Sequence, residues 1–490
     1  MESKGVDLQD ILDSSQSVFD KAEKDLIEKA YHFAQKAHDG QKRNSGEPYF
    51  HHSVEAAKNC AMLGADAITI SGALLHDTLE DTDITEENIK EAFGEEVLFL
   101  VEGVTKLGTL RYKGVERHVE SMRKFFIALA EDVRVLIIKL ADRLHNIQTL
   151  SHVSPDKQKR IAIETIEVYA PLAGRLGMGK LKGLLEDYAF PFAYPDKYKE
   201  TKELMENLVP QAQDLMREVQ KELEETLESF SIKSIIEARV KHTYSLYRKL
   251  VKYEMDEHKI HDIVALRVLV DTIPDCYQVL GLVHMLWKPL PKRIQDWIAM
   301  PKPNGYKSLH TTVLTPKGVA EIQIRTHEMN AEAELGIASH LIFKEQKVGA
   351  GLSRKQQLVW LTQLKELSAM AQTPGDIAEL KLDFFHHQIF VFTPDGDVID
   401  LPENASPIDF AYAIHSDVGD KISSIKINKK MASIDTVLKN GDIVEVITNK
   451  NAHPSSKWLE HAKTSFAKRK IRAYIEEHGG LMEQFKEKNS

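Results

Sequence analysis

Residues 133–150 read VRVLIIKLADRLHNIQTL, a run whose apolar side chains recur with helical spacing and whose start Asp132 is placed to cap. Asn146 lies at i+4 from Asp142 and Thr149 at i+7, so three polar groups line one face of an otherwise apolar helix. Such a stripe on a core-forming helix needs partners. Two earlier segments offer them: GEPYFHHS with His52, and LLHDTLEDT with the adjacent His76 and Asp77. Around these the helical period continues. Leu26, Ile27, Ala30, Phe33, Ala34 and Ala37 recur at three and four with Gly40 as a stop, and Asp83 with Glu86 reads as a capping box for a helix that Gly94 ends. Residues 1–195 are therefore expected to form an all-helical domain.

Two imidazoles and two carboxylates drawn from three segments suit Mn²⁺, Fe²⁺ or Zn²⁺, and a set of four leaves room for a water of lowered pKa to attack phosphorus. If the chain stays helical past His76, Glu80 and Asp81 lie one turn beyond the His-Asp pair, available for proton transfer.

Bulk properties frame this reading. A chain of 490 residues is long enough for three or four domains, and 42% hydrophobic with 28% charged residues is ordinary globular composition. No long uncharged apolar stretch occurs and the start MESKGVDLQD is acidic, so a soluble, cytoplasmic protein is expected. Cys60 and Cys276 stand far apart, which excludes a disulfide scaffold and a cysteine-based zinc module. A formal charge of -10 confines any phosphate binding to local patches.

After a charged amphipathic connector helix at about 200–230 the period shortens to two. DIVALRVLV, TTVLT and VAEIQIRT read as strands, the last two joined across the turn TPKG. Along VAEIQIRT one face carries Glu321, Gln323 and Arg325 and the other Ala320, Ile322 and Ile324. Asp262 and Glu321 are then candidate Mg²⁺ ligands, with Arg239, Lys241, Lys249, Arg267, Arg293, Lys302 and Arg325 to neutralise phosphate charge. Tyr306 and Asn304 in PKPNGYKSLHTT can stack a base and bond its edge. Residues 346–385 read as a helical linker. Gly174 to Lys180 imitates a phosphate-binding loop, but Leu181 stands where Ser or Thr is needed and helix precedes it, so it reads as a helix-helix turn.

The motifs QKRNSGEPYFHH, LLHDTLEDTDIT and IKLADRLHN resemble the HD-domain hydrolase half of the long RelA/SpoT homologues, and ARVKHTYSLYRK, DIVALRV, PKPNGYKSLHTTV and EIQIRT resemble their synthetase half. The resemblance implies a bifunctional enzyme that transfers pyrophosphate from ATP to the 3′-hydroxyl of GDP or GTP and also hydrolyses the product, (p)ppGpp. It assigns Mn²⁺ to His52 (rather than the neighbouring His51), His76, Asp77 and Asp142, water activation to Glu80 and Asp81, and nucleotide contact to Arg43, Asn146 and Thr149. For the synthetase it assigns Mg²⁺ to Asp262 and Glu321, with Glu321 also as base, and nucleotide binding to Arg239, Lys241, Ser245, Lys249, Arg267, Arg293, Lys302, Asn304, Tyr306, His310, Gln323 and Arg325. The implied fold is multidomain α+β: an all-α HD-type domain, a mixed α/β nucleotidyltransferase-like synthetase domain at 196–345 and a β-grasp TGS domain at 386–450, followed by a helical tail at 451–490. Bifunctional relatives carry an Arg-x-Lys-Asp tetrapeptide where Arg293-Ile294-Gln295-Asp296 stands, and aromatic side chains where Leu335 and Leu341 stand. Gln295 leaves open a hydrolase-dominant enzyme, and a nucleotide-sensing regulator is a further alternative.

The third module shows hairpin signals at Asp395-Gly396 and Asn440-Gly441. The resemblance to TGS domains makes deacylated tRNA and the ribosome expected partners, with His415 as the contact; an exposed helix-end histidine is the other reading of that position.

Overall fold

The computed structural model describes residues 7–15, 18–43, 45–108, 132–256, 260, 263–302, 304–336 and 388–487. These fall into two compact units, one reaching residue 336 and one made of 388–487. The first opens with helices α1 (Leu8–Ser14), α2 (Lys21–Ala37), α3 (Phe50–Met62), α4 (Ala67–Leu75), α5 (Thr78–Asp81), α6 (Glu86–Phe93) and α7 (Glu95–Gly108). It continues with α8 (Val133–Gln148), α9 (Pro155–Glu164), a π-helical turn Thr165–Tyr169, α10 (Ala170–Arg175) and α11 (Gly179–Ala193).

Helix α8 is central because it is apolar on almost every side: Val135, Leu136, Ile137, Ile138, Leu140, Ala141, Leu144 and Ile147 are all buried. Each large aliphatic among them contributes roughly 1.5–3 kcal/mol of burial, which anchors whatever polar groups the same helix carries. Asp132 caps it as expected, accepting from the Arg134 N–H at 2.9 Å. Two local expectations change. The capping box of α6 belongs to Thr85 and Asn88, not to Asp83 and Glu86, because Thr85 Oγ1 accepts the Asn88 N–H and Asn88 Oδ1 accepts the Thr85 N–H. The chain also leaves the helix after Leu75, and Asp77 begins a separate short turn, α5, that carries Glu80 and Asp81.

Helix α12 (Pro195–Ser229) leads into β1 (Ser234–Val240), α13 (Thr243–Lys252), β2 (Val264–Val270), α14 (Ile273–Leu286), β3 (Lys288–Asp296), β4 (Leu309–Thr315), β5 (Gly318–Thr326) and α15 (His327–Leu335). The strand order is β1-β2-β5-β4-β3, with β2 and β5 parallel and the remaining neighbours antiparallel. The expected connector is more than a connector: Met216, Val219, Leu223 and Leu227, spaced three and four apart along α12, join the core under the sheet. Ala320, Ile322 and Ile324 of β5 point into that core and are fully buried, so the alternate residues face away from it.

The second unit contains the hairpin β6 (Gln388–Phe392) and β7 (Val398–Pro402), helices α16 (Pro407–Ile414) and α17 (Ser416–Asp420), strands β8 (Ile422–Ile427), β9 (Lys430–Ala432) and β10 (Val444–Thr448), and helices α18 (Trp458–His461) and α19 (Ser465–Glu487). Gly396 and Gly441 both have positive φ, 93° and 91°, as the two turn signals require. The core runs past residue 450: Trp458, Ala462, Ala467 and Ile471 pack with Ile408, Phe410 and Tyr412. Buried Asp409 fastens the two parts, accepting from the backbone N–H groups of Ser406, Lys463 and Thr464. Trp458→Ala is therefore expected to cost about 3–5 kcal/mol and to lower the calorimetric transition of this unit alone; an unchanged transition would mean the tail is an appendage. No helix among the described residues is long and apolar enough to cross a membrane.

Candidate functional sites

Three helix segments meet at the first site. The N-terminal turn of α3 brings His52, the break between α4 and α5 brings His76 and Asp77, and the middle of α8 brings Asp142. One donor atom each from His52, His76 and Asp142 lie within 4.8 Å of one another, all buried. His52 Nε2 is 3.2 Å from Asp142 Oδ1 and 3.5 Å from Asp77 Oδ2, and His76 Nε2 is 3.1 Å from Asp77 Oδ2. The His76 Nδ1 lies 2.8 Å from the Ala73 carbonyl oxygen, to which it donates; its buried Nε2 faces Asp77 Oδ2 at 3.1 Å without the alignment of a hydrogen bond. A buried imidazole nitrogen poorly aligned to the carboxylates around it is costly unless a cation or a proton lies between them. The residues present thus fit a divalent ion with nitrogen and oxygen ligands. Burial would raise the Asp142 carboxyl, but Lys139, whose Nζ donates to Oδ2 at 2.9 Å, and the two imidazoles hold it well below the usual range.

Polar groups ring this cluster. Tyr49 Oη lies 2.9 Å from Asp77 Oδ2 and 2.8 Å from Asp81 Oδ2, and its single proton can serve either. Glu80 stands exposed at the rim, its carboxyl held above the usual range by the water it loses there and by Asp77 and Asp81, with Lys139 opposing. Arg43 donates to Asn146 Oδ1 at 2.7 Å and reaches Thr149 Oγ1 at 3.5 Å, so the three expected nucleotide contacts are adjacent. His145, not foreseen, lies with its Nδ1 2.7 Å from His52 Nδ1, and burial, His52 and Arg43 push it down to about 3. Lys139 and Tyr49 were also missed. Lys139 and His145 sit at i−3 and i+3 from Asp142, so the helical period held the signal.

The second site lies on the open face of the sheet. Gln323 Nε2 donates to Glu321 Oε1 at 3.1 Å and Arg325 donates to Gln323 Oε1 at 2.9 Å, a ladder along alternate residues of β5. His310 on β4 has Nδ1 3.7 Å from Glu321 Oε1 and Nε2 2.8 Å from Tyr306 Oη; burial, Lys302 and Arg325 push it down to about 3. Arg325 and Lys302 lie 5.5 and 5.1 Å from the Tyr306 ring centre. Burial and then Arg267 of β2 hold Arg239 of β1 below its usual range, and burial with Arg267 and Arg239 does the same to Arg325. Both Arg267 and Arg325 have a buried Nε without a partner, while Arg267 donates to Glu334 of α15 at 2.8 Å. Crowded guanidiniums with orphaned donors form an anion cradle. Glu334 is a second residue the sequence reading missed.

The remaining expected residues are placed as follows. Lys241 precedes α13, which carries Ser245 and Lys249, and exposed Arg293 lies on β3, the sheet edge opposite Arg239. Asp262 lies outside the described residues, as do Leu341 and the helix expected at 346–385. Asn304 already has protein partners: its Nδ2 donates to the distant Gly174 carbonyl at 3.1 Å and its Oδ1 accepts the Tyr306 N–H. Gln295 accepts from Trp297 Nε1 at 3.2 Å. His415 is exposed, and its Nδ1 caps α17 by accepting the Asp417 N–H.

The loop-like run at Gly174–Gly179 is a helix-helix turn, as read from the sequence, and it abuts the sheet domain. A Cβ on Gly177 would meet the Asn304 carbonyl at 3.1 Å, and one on Gly336 would strike the Leu176 carbonyl at 2.0 Å. Asp187 of α11 accepts the Tyr244 N–H at 3.0 Å, capping α13 from the helical half.

Residues 30–179 match the HD domain family, residues 238–348 the region found in RelA / SpoT proteins, and residues 389–448 the TGS domain. Over 92% of its length the chain is 44% identical to a guanosine-3′,5′-bis(diphosphate) 3′-pyrophosphohydrolase of Aquifex aeolicus, covering 64% of that protein. It is 45% identical to a GTP pyrophosphokinase of Myxococcus xanthus, with 92% and 60% covered, and 41% identical to the bifunctional (p)ppGpp synthase/hydrolase SpoT of Escherichia coli, with 92% and 64% covered. The chain thus spans less than two thirds of the length of these relatives. Among solved structures, small alarmone synthetase 2 of Bacillus subtilis matches 36% of this chain and 95% of its own at 26% identity, with a TM-score of 0.24.

Proposed function

The chain belongs to the RelA/SpoT homologues, and on that premise we propose that it hydrolyses (p)ppGpp at the helical site and makes it at the sheet site. Hydrolysis returns GDP or GTP and pyrophosphate. The observation that carries this half is the convergence of buried donor atoms of His52, His76 and Asp142, with Asp77 Oδ2 3.1 Å from His76 Nε2. These four residues would hold a divalent ion, Mn²⁺ in this reading, which when bound supplies an acidified water and a positive charge against the 3′-phosphates.

The protein groups divide the other tasks. Glu80, whose carboxyl is raised toward proton affinity, takes a proton from the attacking water. Asp81 and Asp77 compete for the single proton of the Tyr49 hydroxyl, and Arg43 with Asn146 and Thr149 orients the nucleotide. At the sheet, Arg239, Arg267 and Arg325 receive phosphates, Tyr306 stacks a base, and Glu321 accepts the proton of the attacking 3′-hydroxyl; Glu321 and Asp262 would hold Mg²⁺, which would supply positive charge to the phosphates. The residues Lys241, Ser245, Lys249, Arg293, Lys302, Asn304, His310 and Gln323 complete nucleotide binding. TGS-type residues and His415 would meet deacylated tRNA on the ribosome, in the cytoplasm.

Chelation tests the metal. EDTA dialysis is expected to stop hydrolysis, and Mn²⁺ to restore it more fully than Mg²⁺; full activity in protein stripped of bound metal would remove the basis of the reading.

A further inference from the structure

We propose that His145 is a positioning residue that aims His52 at the metal and joins it to Arg43, a role that rests on the metal centre proposed above. The two nitrogens of His52 have different surroundings: Nε2 faces Asp142 and Asp77, and Nδ1 lies 2.7 Å from Nδ1 of His145. A ring that offers the Nε2 lone pair to a cation keeps its proton on Nδ1. His52 is therefore the donor, and His145 must present a bare Nδ1 and carry its own proton on Nε2.

A second donor points at the same lone pair. Arg43 Nη1 approaches His145 Nδ1 at 3.4 Å, and a guanidinium has only N–H groups to offer. Two donors from different segments thus converge on one acceptor, one from a metal ligand and one from a nucleotide contact. His76 is fixed differently, by the backbone carbonyl of Ala73, which no side-chain substitution removes. His52 is 2% exposed, so water is a poor replacement for a lost partner. Of the two imidazoles, only His52 depends on a side chain for its orientation.

The isosteres at position 145 separate geometry from bulk. Asparagine puts an oxygen acceptor at the δ position that Nδ1 occupies, glutamine moves it one bond outward, and leucine removes it. Mn²⁺ affinity of the full chain, measured by competition with a fluorescent chelator, reads the effect without turnover. H145L and H145Q are expected to raise the Mn²⁺ Kd about 10–100-fold, and H145N to stay within about threefold of the unchanged chain. In hydrolysis the KM for (p)ppGpp should rise modestly in H145L and be recovered in H145N, because Arg43 loses and regains one of its acceptors while Asn146 keeps the other. An unchanged Kd in H145L would overturn the proposal, as would an H145N as weak as H145L with its melting temperature intact. Should the leucine chain fail to fold, the asparagine and glutamine pair decides. H52A separates the two claims: if it binds Mn²⁺ as well as the unchanged chain does, the metal centre itself is misplaced, whereas if it alone loses the ion only the role of His145 falls.

Discussion

Asp77→Ala is expected to abolish hydrolysis while synthesis continues, so that (p)ppGpp accumulates from ATP and GTP. Of the acidic candidates, Asp142 is the poorer choice for such a test. It is buried, with Lys139 and both imidazoles against it, and its removal leaves Lys139 a largely desolvated charge, 12% exposed, without its partner at 2.9 Å. Breaking such a pair costs about 3–5 kcal/mol, so lost activity there would be confounded with lost fold. Asp77 is cleaner. Its side chain is 18% exposed at the break between α4 and α5, where it holds no helix together through its side chain. Losing one ligand of the cation removes several kcal/mol of charge stabilisation, about a thousandfold or more in rate. Product chromatography with ATP and GTP, set beside hydrolysis of added (p)ppGpp, reads both activities. Retained hydrolysis would remove Asp77 from the centre.

The parts of this site that could be read in the sequence were those whose signal is local. Helical period places Asp142, Asn146 and Thr149 on one face, and the structure joins the last two through Arg43. Reading the same face in the other direction reaches Lys139, and including i+3 reaches His145, yet both look like ordinary helix-surface groups until α3 and α4 pack against α8. Tyr49 carries no period at all, because it sits in the turn before α3. The α6 start shows a smaller confusion: Asp, Thr and Glu crowd positions 83–87, and only backbone geometry selects Thr85 as the cap.

Contacts distant in sequence were illegible for a different reason. The bond from Asn304 to the Gly174 carbonyl and that from Arg267 to Glu334 span 130 and 67 residues, and nothing near either residue announces the partner. The glycines of the false phosphate loop acquire a reason only from that packing: Gly336 and the Leu176 carbonyl approach too closely for any side chain at position 336. The two opposed activities proposed for this chain would waste ATP if both ran together, and this joint reaches from the helical half to Asn304 and to the end of the helix bearing Glu334. The packing supplies contact; coupling further requires two arrangements of it.

Glu321→Ala is expected to eliminate synthesis and leave hydrolysis intact. Strand period alone places Glu321 on the open face of β5, between fully buried Ala320 and Ile322, so its side chain cannot retreat into the core. There it accepts from Gln323 and faces neutral His310, with the arginine cradle completed by Arg325 two rungs further along the strand. At 20% side-chain exposure its loss exposes no core and strands no buried partner charge, so the fold should survive. Glu321→Gln then divides shape from charge. It keeps an oxygen for Gln323 but can neither bind Mg²⁺ as an anion nor accept the proton of a 3′-hydroxyl, and should lose synthesis about as completely as alanine, by roughly a thousandfold. AMP release from ATP with GDP as acceptor measures it. A glutamine variant that keeps most of its rate would make Glu321 a scaffold for the ladder of β5 and move the catalytic carboxylate elsewhere.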